Sequence, residues 1–335
     1  LFAAVIAITQ TDIKRILAFS TLSQLGYMMF SLGVAKTVHG GLVESLGFTA
    51  SMFHIFTHAF FKCLLFLAAG AVIHAVHSNE LKDMGGLRKF MPWTYGAVLA
   101  ACLAIGGVFP FSGFWSKDEI LLAALHAGHP IIFITGLLVG GITAFYMFRF
   151  FFLIFHGESS SEHQVHEDPV MTLPIVILAV PSVLIGYLAK DFFADYMTPP
   201  VVTSMLAPAQ AHPHWLPFVA SMTGLAGVFG AWFLYGRGNL TLAAGLQQRF
   251  ALAHRTLVAK FYIDEIYLYV THKIIFRFIA GPIKWFDRHI VDGSMNLTGW
   301  LLQLGGTGVR LLQNGLVTRY LGLTMLGIAF VYFCG

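Results

Sequence analysis

The class of this protein is decided by one stretch, SMFHIFTHAFFKCLLFLAAGAV, which occupies residues 51–72. Its length is sufficient to cross the hydrocarbon core of a bilayer, which takes about 20 apolar residues. It nevertheless carries three ionisable residues, His54, His58 and Lys62. Ionisable groups inside an apolar helix are costly and typically mark a pathway for ions or protons.

The composition of the whole chain agrees with a membrane protein. Of its 335 residues, 57% are hydrophobic and 11% are charged, whereas a soluble domain carries about 25% charged residues. The formal net charge of +4 is modest and the basic residues do not cluster, which excludes a nucleic-acid-binding patch. Cys63, Cys102 and Cys334 match no metal or redox spacing, so we expect small buried apolar side chains there.

Apolar runs of spanning length recur along the chain. We expect the end of one span at 1–8, an interrupted span at 93–127, and complete spans at 16–35, 47–76, 130–154, 171–189, 215–235 and 317–334. If 93–127 counts as one span, nearly all loop Lys and Arg residues, with Arg149 counted among them, fall on one side. The positive-inside rule makes that side cytoplasmic.

The segment 250–292 mixes apolar residues at helical spacing with charged ones, which predicts an amphipathic helix along a surface, kinked at Gly281-Pro282. We therefore expect three parts: a transmembrane bundle at 1–235, a lateral amphipathic helix with its connections at 236–310, and a transmembrane anchor at 311–335. The predicted fold class is all-α. Because the chain starts inside an apolar run, we also expect it to be a fragment without its N-terminal portion.

The ionisable residues of the first stretch share one helix face. Steps of four residues place His54, His58 and Lys62 on one stripe. Histidine exchanges protons near neutral pH, and lysine joins it where an apolar environment disfavours its charged form. The stripe is thus a candidate proton relay. The alternative is hydrogen-bonded core histidines with a lysine that extends to the membrane surface.

A second candidate region is GGVFPFSGFWSKDEILLAAL, residues 106–125. Pro110 and Gly113 interrupt an apolar run, and backbone groups freed at membrane depth are tolerated only inside protein or beside a wet cavity. Discontinuous helices of this kind mark ion sites in transporters. Lys117 and Asp118 follow the break directly. The alternative is a loop between two short helices whose charges reach water.

Lys14 begins the span that follows Asp12. Its local sequence is compatible with two roles, an anchor at the membrane interface and a place in the relay. The span continues with polar side chains that are able to hold water along a path: Ser20, Thr21, Ser23 and Gln24. The chain has no HExxH, CxxC or P-loop motif. We expect no cofactor in this chain.

Several stretches resemble the antiporter-like subunits of respiratory complex I and of cation/proton antiporters. They are TQTDIKRILAFSTLSQLGYM (9–28), FHIFTHAFFKCLLFLAAG (53–70), DMGGLRKFMP (83–92) and FSGFWSKDEIL (111–121). The lateral segment, with FYIDEIYLYV (261–270) and QNGLVTRYLG (313–322), is similar to the distal subunit of the membrane arm.

This resemblance implies a role for each candidate residue. Lys62 resembles the central lysine of the family's hydrophilic axis, with His54 and His58 beside it. Lys117, with Asp118 as its neighbour, resembles the lysine that connects the channel to the periplasmic side.

Lys14 resembles a further lysine of the same axis. The family's glutamate–lysine pair belongs to the first half of the fold and is absent here, as a fragment would explain.

The resemblance also implies a proton-translocating, non-redox subunit of an NADH–quinone oxidoreductase in a bacterial inner (plasma) membrane. NAD, FMN, iron–sulfur clusters and quinone would bind partner subunits. The partners would be neighbouring antiporter-like subunits along the lateral helix, together with lipid, and no nucleic acid. The alternatives are the large subunit of a multi-subunit sodium/proton antiporter, a membrane-bound hydrogenase subunit, and a purely structural scaffold.

Overall fold

A computed structural model of the chain describes residues 1–34, 37–38, 42–43, 46–157, 166–197, 213–237, 240–313 and 315–334. The chain divides into two compact units, Leu1–Phe261 and Tyr262–Gly335.

The first unit is a bundle of helices. In chain order they are α1 Phe2–Thr9, α2 Ile13–Gly33, α3 Leu46–Val76, α4 Pro92–Gly106, α5 Ser112–His126, α6 Pro130–Phe155, α7 Pro169–Met197, α8 Trp215–Ala231, α9 Thr241–Arg249 and α10 Ala251–Val258. A π-helical stretch, Trp232–Gly236, extends α8. Two strands of two residues, β1 Thr37–Val38 and β2 Leu42–Val43, pair antiparallel between α2 and α3.

Six of the described helices are long and apolar enough to cross a membrane. Five of them are α2, α3, α6, most of α7 and the extended α8, and the sixth lies in the second unit. All six begin and end within a few residues of the predicted spans, except that α7 continues to Met197. The expectation of an all-α, multi-pass membrane protein is confirmed.

The interrupted span consists of α4 and α5. Gly107, at a φ of 71°, ends α4 in the left-handed conformation that favours glycine. The amides of Trp93 and Thr94 at the start of α4 donate to the carboxylate of Glu167, which lies in the connection between α6 and α7. Helix α6 runs from the end of the bundle where α5 finishes to the end where α4 starts. Helices α4 and α5 together therefore cross the bundle once, as predicted.

Glycine allows the two half-helices to approach closely. A β-carbon on Gly113 would lie 2.1 Å from the carbonyl oxygen of Ala104. The first turn of α5 therefore packs directly on the last turn of α4, and the break remains compact inside the bundle.

The basic connections share one end of the first unit. The amide of Leu81 donates to the carbonyl of Thr11 at 2.9 Å, which joins the α3–α4 connection to the α1–α2 connection. The amide of Gly86 donates to the carbonyl of His156 at the end of α6. This geometry agrees with the sidedness that the charge distribution predicts.

Helices α6 and α8 meet along a seam of small residues. A β-carbon on Gly227 would lie 2.2 Å from the carbonyl oxygen of Gly141 and 3.0 Å from Cβ of Ala144. One on Gly141 would lie 3.0 Å from Cγ2 of Thr223. Small residues of this kind let membrane helices approach at backbone distance.

The second unit is an uninterrupted run of helical turns followed by a separate helix. The run comprises α11 Ile263–Tyr269, the π-helical stretch Val270–Ala280, α12 Gly281–Phe286, the π-helical stretch Asp287–Val291 and α13 Asp292–Leu312, and the separate helix is α14 Val317–Cys334. Exposed apolar side chains follow the whole run, among them Phe278, Trp285 and Leu302.

The prediction of one helix over 250–292 is wrong at its start. Lys260, Phe261 and Tyr262 have φ of 50°, 57° and 59°, which ends the helical path after α10. At Gly281-Pro282 the helical dihedrals continue, and the amide of Gly281 bonds to the carbonyl five residues earlier. The wide π turns accommodate the proline, whose missing amide would otherwise break an α-helical hydrogen bond.

Candidate functional site

The ionisable stripe of α3 faces the interior of the bundle. His54, His58 and Lys62 are 0%, 8% and 6% exposed, whereas Cys63 and Leu67, which face the other way on the same helix, are exposed. The alternative in which Lys62 extends to the membrane surface is therefore excluded by its burial.

His54 is held at both ring nitrogens. Nδ1 lies 2.8 Å from Oγ of Ser116 on α5, and Nε2 lies 3.1 Å from Oε1 of Gln24 on α2. Nε2 of Gln24 donates in turn to Oγ1 of Thr143 on α6, at 3.4 Å. This histidine thus joins four helices through buried polar contacts.

His58 lies one turn further along α3. Its ring centroid is 6.0 Å from that of His54 and packs edge-on against Phe61. Its buried Nε2 has no hydrogen-bond partner among the described residues. The charges of Lys62 and Lys117 both act on this ring. His58 therefore lies close enough to both lysines for their charges to influence it.

Lys62 ends the stripe. Its Nζ lies 5.7 Å from the ring centroid of Phe66 and makes no hydrogen bond within the part of the chain that the structure describes. A buried amine without protein hydrogen bonds requires water to remain charged.

Lys117 is placed by the break between α4 and α5. Its Nζ donates to the carbonyl of Ile105 in the last turn of α4, and it lies 5.6 Å from the ring centroid of Tyr27. The carboxyl end of a helix favours a cation, because its last carbonyls lack helical partners. Lys117 and Asp118 are only 4% and 7% exposed, which excludes the alternative that they reach water from a loop.

A cleft beside Lys117 is bounded by five helices of the first unit. Tyr27, Gly106, Gly107 and Gly136 are among the residues that line it. Within this lining the Tyr27 hydroxyl donates to the carbonyl of Gly136 at 3.0 Å.

The structure does not bring Lys14 to the buried cluster. Its side chain is exposed at the start of α2, where the Asp12 carboxylate caps the helix by accepting from the amides of Lys14 and Arg15. Among the polar residues that follow, Ser20 and Ser23 are buried. They lie near the Tyr146 hydroxyl on α6, but their hydroxyl oxygens have no hydrogen-bond partner among the described residues.

Several residues of the site were not found from the sequence. Ser116 and Thr57 lie 2.8 Å apart between their hydroxyl oxygens, and Thr143 and Tyr146 complete the set on α6. Ser116 directly precedes Lys117, and this position could have identified it from the sequence. Thr143 lies 119 residues from Gln24 in sequence, so no spacing rule connects them.

Two expectations for other residues need correction. Arg149, expected with the loop cations, is buried in α6, where it donates to the carbonyl of Gln10 at 2.8 Å and lies over the Tyr235 ring. Cys102 is buried as expected, but Cys63 and Cys334 are exposed on outward helix faces. Apolar outward faces are normal in membrane helices, so exposure does not change their chemical class.

A multi-pass bundle with a broken span and a buried line of histidines and lysines defines an antiporter-like membrane protein. Residues 1–143 match the family described as NADH:quinone oxidoreductase/Mrp antiporter, TM. Over those residues the chain is similar to this family, and the relatives that it matches over nearly its whole length are NADH-quinone oxidoreductase subunit L and NAD(P)H-quinone oxidoreductase chain 5.

Three of these relatives illustrate the similarity. Chain 5 of Picosynechococcus sp. is 38% identical over 95% of this chain and 51% of its own length. Subunit L of Neisseria meningitidis is 35% identical over 98% of this chain and 53% of its own, and that of Rickettsia bellii is 36% identical over 96% and 50%. The chain thus spans about half the length of the curated relatives it matches.

A solved structure has the same fold. The Mrp complex from Dietzia sp. aligns with a TM-score of 0.52 and 21% identity, covering 68% of this chain and 47% of the other. At this identity the likeness concerns the fold alone.

Proposed function

We propose that this chain is the proton-relaying part of an antiporter-like membrane subunit of an NADH–quinone oxidoreductase, corresponding to subunit L. The observation that supports this most is the buried line of His54, His58, Lys62 and Lys117 inside the bundle. The kinship to subunit L and chain 5 of such complexes supports the choice of complex.

The chemistry of the line suits proton transfer between stations. Lys62 and Lys117 are close enough for their charges to interact. Two ammonium ions in a poorly polarisable interior repel each other, so a proton that arrives on one amine favours the departure of a proton from the other. His58, on which both charges act, is the intermediate station.

The rest of the assignment follows from the same proposal. In this proposal the chain holds no redox centre, and NAD, FMN, iron–sulfur clusters and quinone belong to partner subunits. Quinone reduction elsewhere changes the hydration and charge of the lysine line. The protein resides in a bacterial inner membrane with its basic connections in the cytoplasm. The exposed apolar side chains of the second unit contact neighbouring membrane-arm subunits and lipid.

A second candidate is the large subunit of a multi-subunit sodium/proton antiporter, because the family description includes the Mrp antiporters and an Mrp complex shares the fold. The two candidates differ in what drives the protons. Proton transfer that follows NADH oxidation supports the first, and transfer driven by a sodium gradient without a redox substrate supports the second.

The test replaces lysines in the complete subunit within its assembled complex. Lys62→Met and Lys117→Met keep the length of the side chain and remove its charge, and Lys82→Met alters an exposed lysine of the α3–α4 connection as a matched control. We expect the two buried variants to lower the number of protons moved per electron in proteoliposomes, and the control to leave it unchanged. Wild-type stoichiometry in both buried variants would reject the relay.

A further inference from the structure

We propose that Gln24 and Ser116 are positioning residues for His54: Gln24 fixes its neutral form as the Nε2–H tautomer, and Ser116 with Thr57 accommodates its charged form. The inference rests on the proposed proton relay and deepens it by explaining how one station changes charge inside the bundle.

The Gln24 amide determines which ring nitrogen carries the proton. Its nitrogen faces Oγ1 of Thr143, and this orients its oxygen towards Nε2 of His54, at 3.1 Å. An amide oxygen only accepts hydrogen bonds, so Nε2 must be the donor. Nδ1 of the neutral ring is then a lone-pair acceptor.

The neutral ring is satisfied by a chain of hydroxyl donors. Ser116 donates to Nδ1 of His54 at 2.8 Å, and Thr57 donates to Oγ of Ser116 at 2.8 Å. Ser116 and Thr57 are fully buried, so water does not replace these contacts from outside the bundle. Each polar hydrogen has one acceptor in this arrangement.

The charged ring is satisfied when the same two hydroxyls reverse. Nδ1–H of the imidazolium donates to Oγ of Ser116, whose own hydrogen turns to the carbonyl of Gly113, at 3.5 Å. The Thr57 hydroxyl turns to the carbonyl of His54, at 3.2 Å. In the net step the ring takes up one proton from the relay and each hydroxyl keeps one hydrogen. No buried donor loses its acceptor, which otherwise costs about 1–3 kcal/mol.

The reversal connects α3 to the broken helix. Ser116 is the neighbour of Lys117, and Gly113 lies in the first turn after the break. The direction in which the Ser116 hydroxyl points therefore depends on the charge of His54. This dependence couples that charge to the segment that carries Lys117. His58 lacks such an arrangement, because its Nε2 has no partner among the described residues.

The first test is the tautomer of His54 in the complete subunit within its complex. Solid-state NMR of the ¹⁵N-histidine-labelled protein, with His54→Asn to assign the signal, distinguishes the two neutral forms. We expect the Nε2–H form in the wild type and a mixture in Gln24→Leu. An Nδ1–H form in the wild type, or no change in Gln24→Leu, would overturn the role of Gln24.

The second test uses proton flux. Ser116→Ala removes the acceptor that the imidazolium needs, and we expect it to slow proton transfer several-fold, whereas Ser116→Thr restores it. Ser294→Ala on the exposed face of α13 is the control. Wild-type flux in Ser116→Ala while Lys62→Met is impaired would reject this inference and keep the relay. Wild-type flux in both lysine variants would reject the relay itself, and the NMR result would still decide the tautomer.

Discussion

At the scale of the residue, the buried cations of this bundle differ in what compensates their charge. Arg149 donates to the carbonyl of Gln10 and lies over Tyr235, and Lys117 donates to Ile105. Lys62 has no protein hydrogen bond within the described ranges. A guanidinium cannot be deprotonated in proteins, so Arg149 is a structural charge, while the amines are free to exchange protons.

We expect Arg149→Ala to destabilise the first unit by about 2 kcal/mol, because a hydrogen bond to a charged group contributes roughly 1.5–3 kcal/mol. The measurement is the thermal inactivation temperature of the assembled complex, with the exposed Arg249→Ala as the control. Equal inactivation temperatures for the two variants would show that Arg149 does not stabilise the α1–α2 connection.

The four-residue spacing on α3 was sufficient to predict that His54, His58 and Lys62 share a buried face. The partners of His54 were beyond prediction, since Gln24 and Ser116 come from helices that approach α3 only in the tertiary fold. Lys14 shows the converse limit. Its sequence context is similar to that of an axis lysine, yet its side chain is exposed at the start of α2.

At the scale of the element, the break between α4 and α5 depends on glycine. Pro110 and Gly113 were enough to predict the interruption, because neither favours a continuous helix. The acceptor of Lys117 could not be predicted in the same way. Ile105 precedes it by twelve residues and comes within reach only because the chain redirects at Gly107.

We expect Gly113→Ala to destabilise the complex by at least about 1–3 kcal/mol, the range for overpacking a well-packed interior. The added carbon would meet the backbone carbonyl of Ala104, which cannot move aside. Gly96→Ala is a matched control on α4, since nothing lies within 4 Å of its added carbon. The yield and thermal stability of the assembled complex are measured; a Gly113→Ala protein as stable as Gly96→Ala would contradict this packing.

The amphipathic segment shows where helical periodicity fails as a predictor. The pattern of apolar residues is continuous through 260–262, but three successive residues with positive φ divide the helix there. None of the three is glycine, so the sequence gives no local signal for this conformation.

At the scale of the whole molecule, the spans were predictable because the thickness of the bilayer fixes their length. Treating the broken segment as one crossing places Lys82 and His129 at opposite ends of the first unit. That single decision determines the sidedness of every later helix of the bundle.

We expect cysteines at these two positions to react from opposite sides of the membrane. In a chain whose native cysteines are replaced by alanine, Lys82→Cys should be labelled by an impermeant thiol reagent in inside-out vesicles. His129→Cys should be labelled in intact cells. Both positions are exposed, so accessibility depends on the side alone. Labelling of both from one side would mean that α4 and α5 cross the membrane separately.

Under the proposed function, the seam between α6 and α8 has a consequence for energy conversion. Its backbone-to-backbone contact at Gly141 and Gly227 leaves no space for a water file, whereas the other face of α6 carries Thr143 and Tyr146 beside the relay. One face of α6 is thus closed to water, and its other face lines the proposed proton path. A larger residue in the seam would separate the helices, admit water and let the membrane potential discharge through a leak.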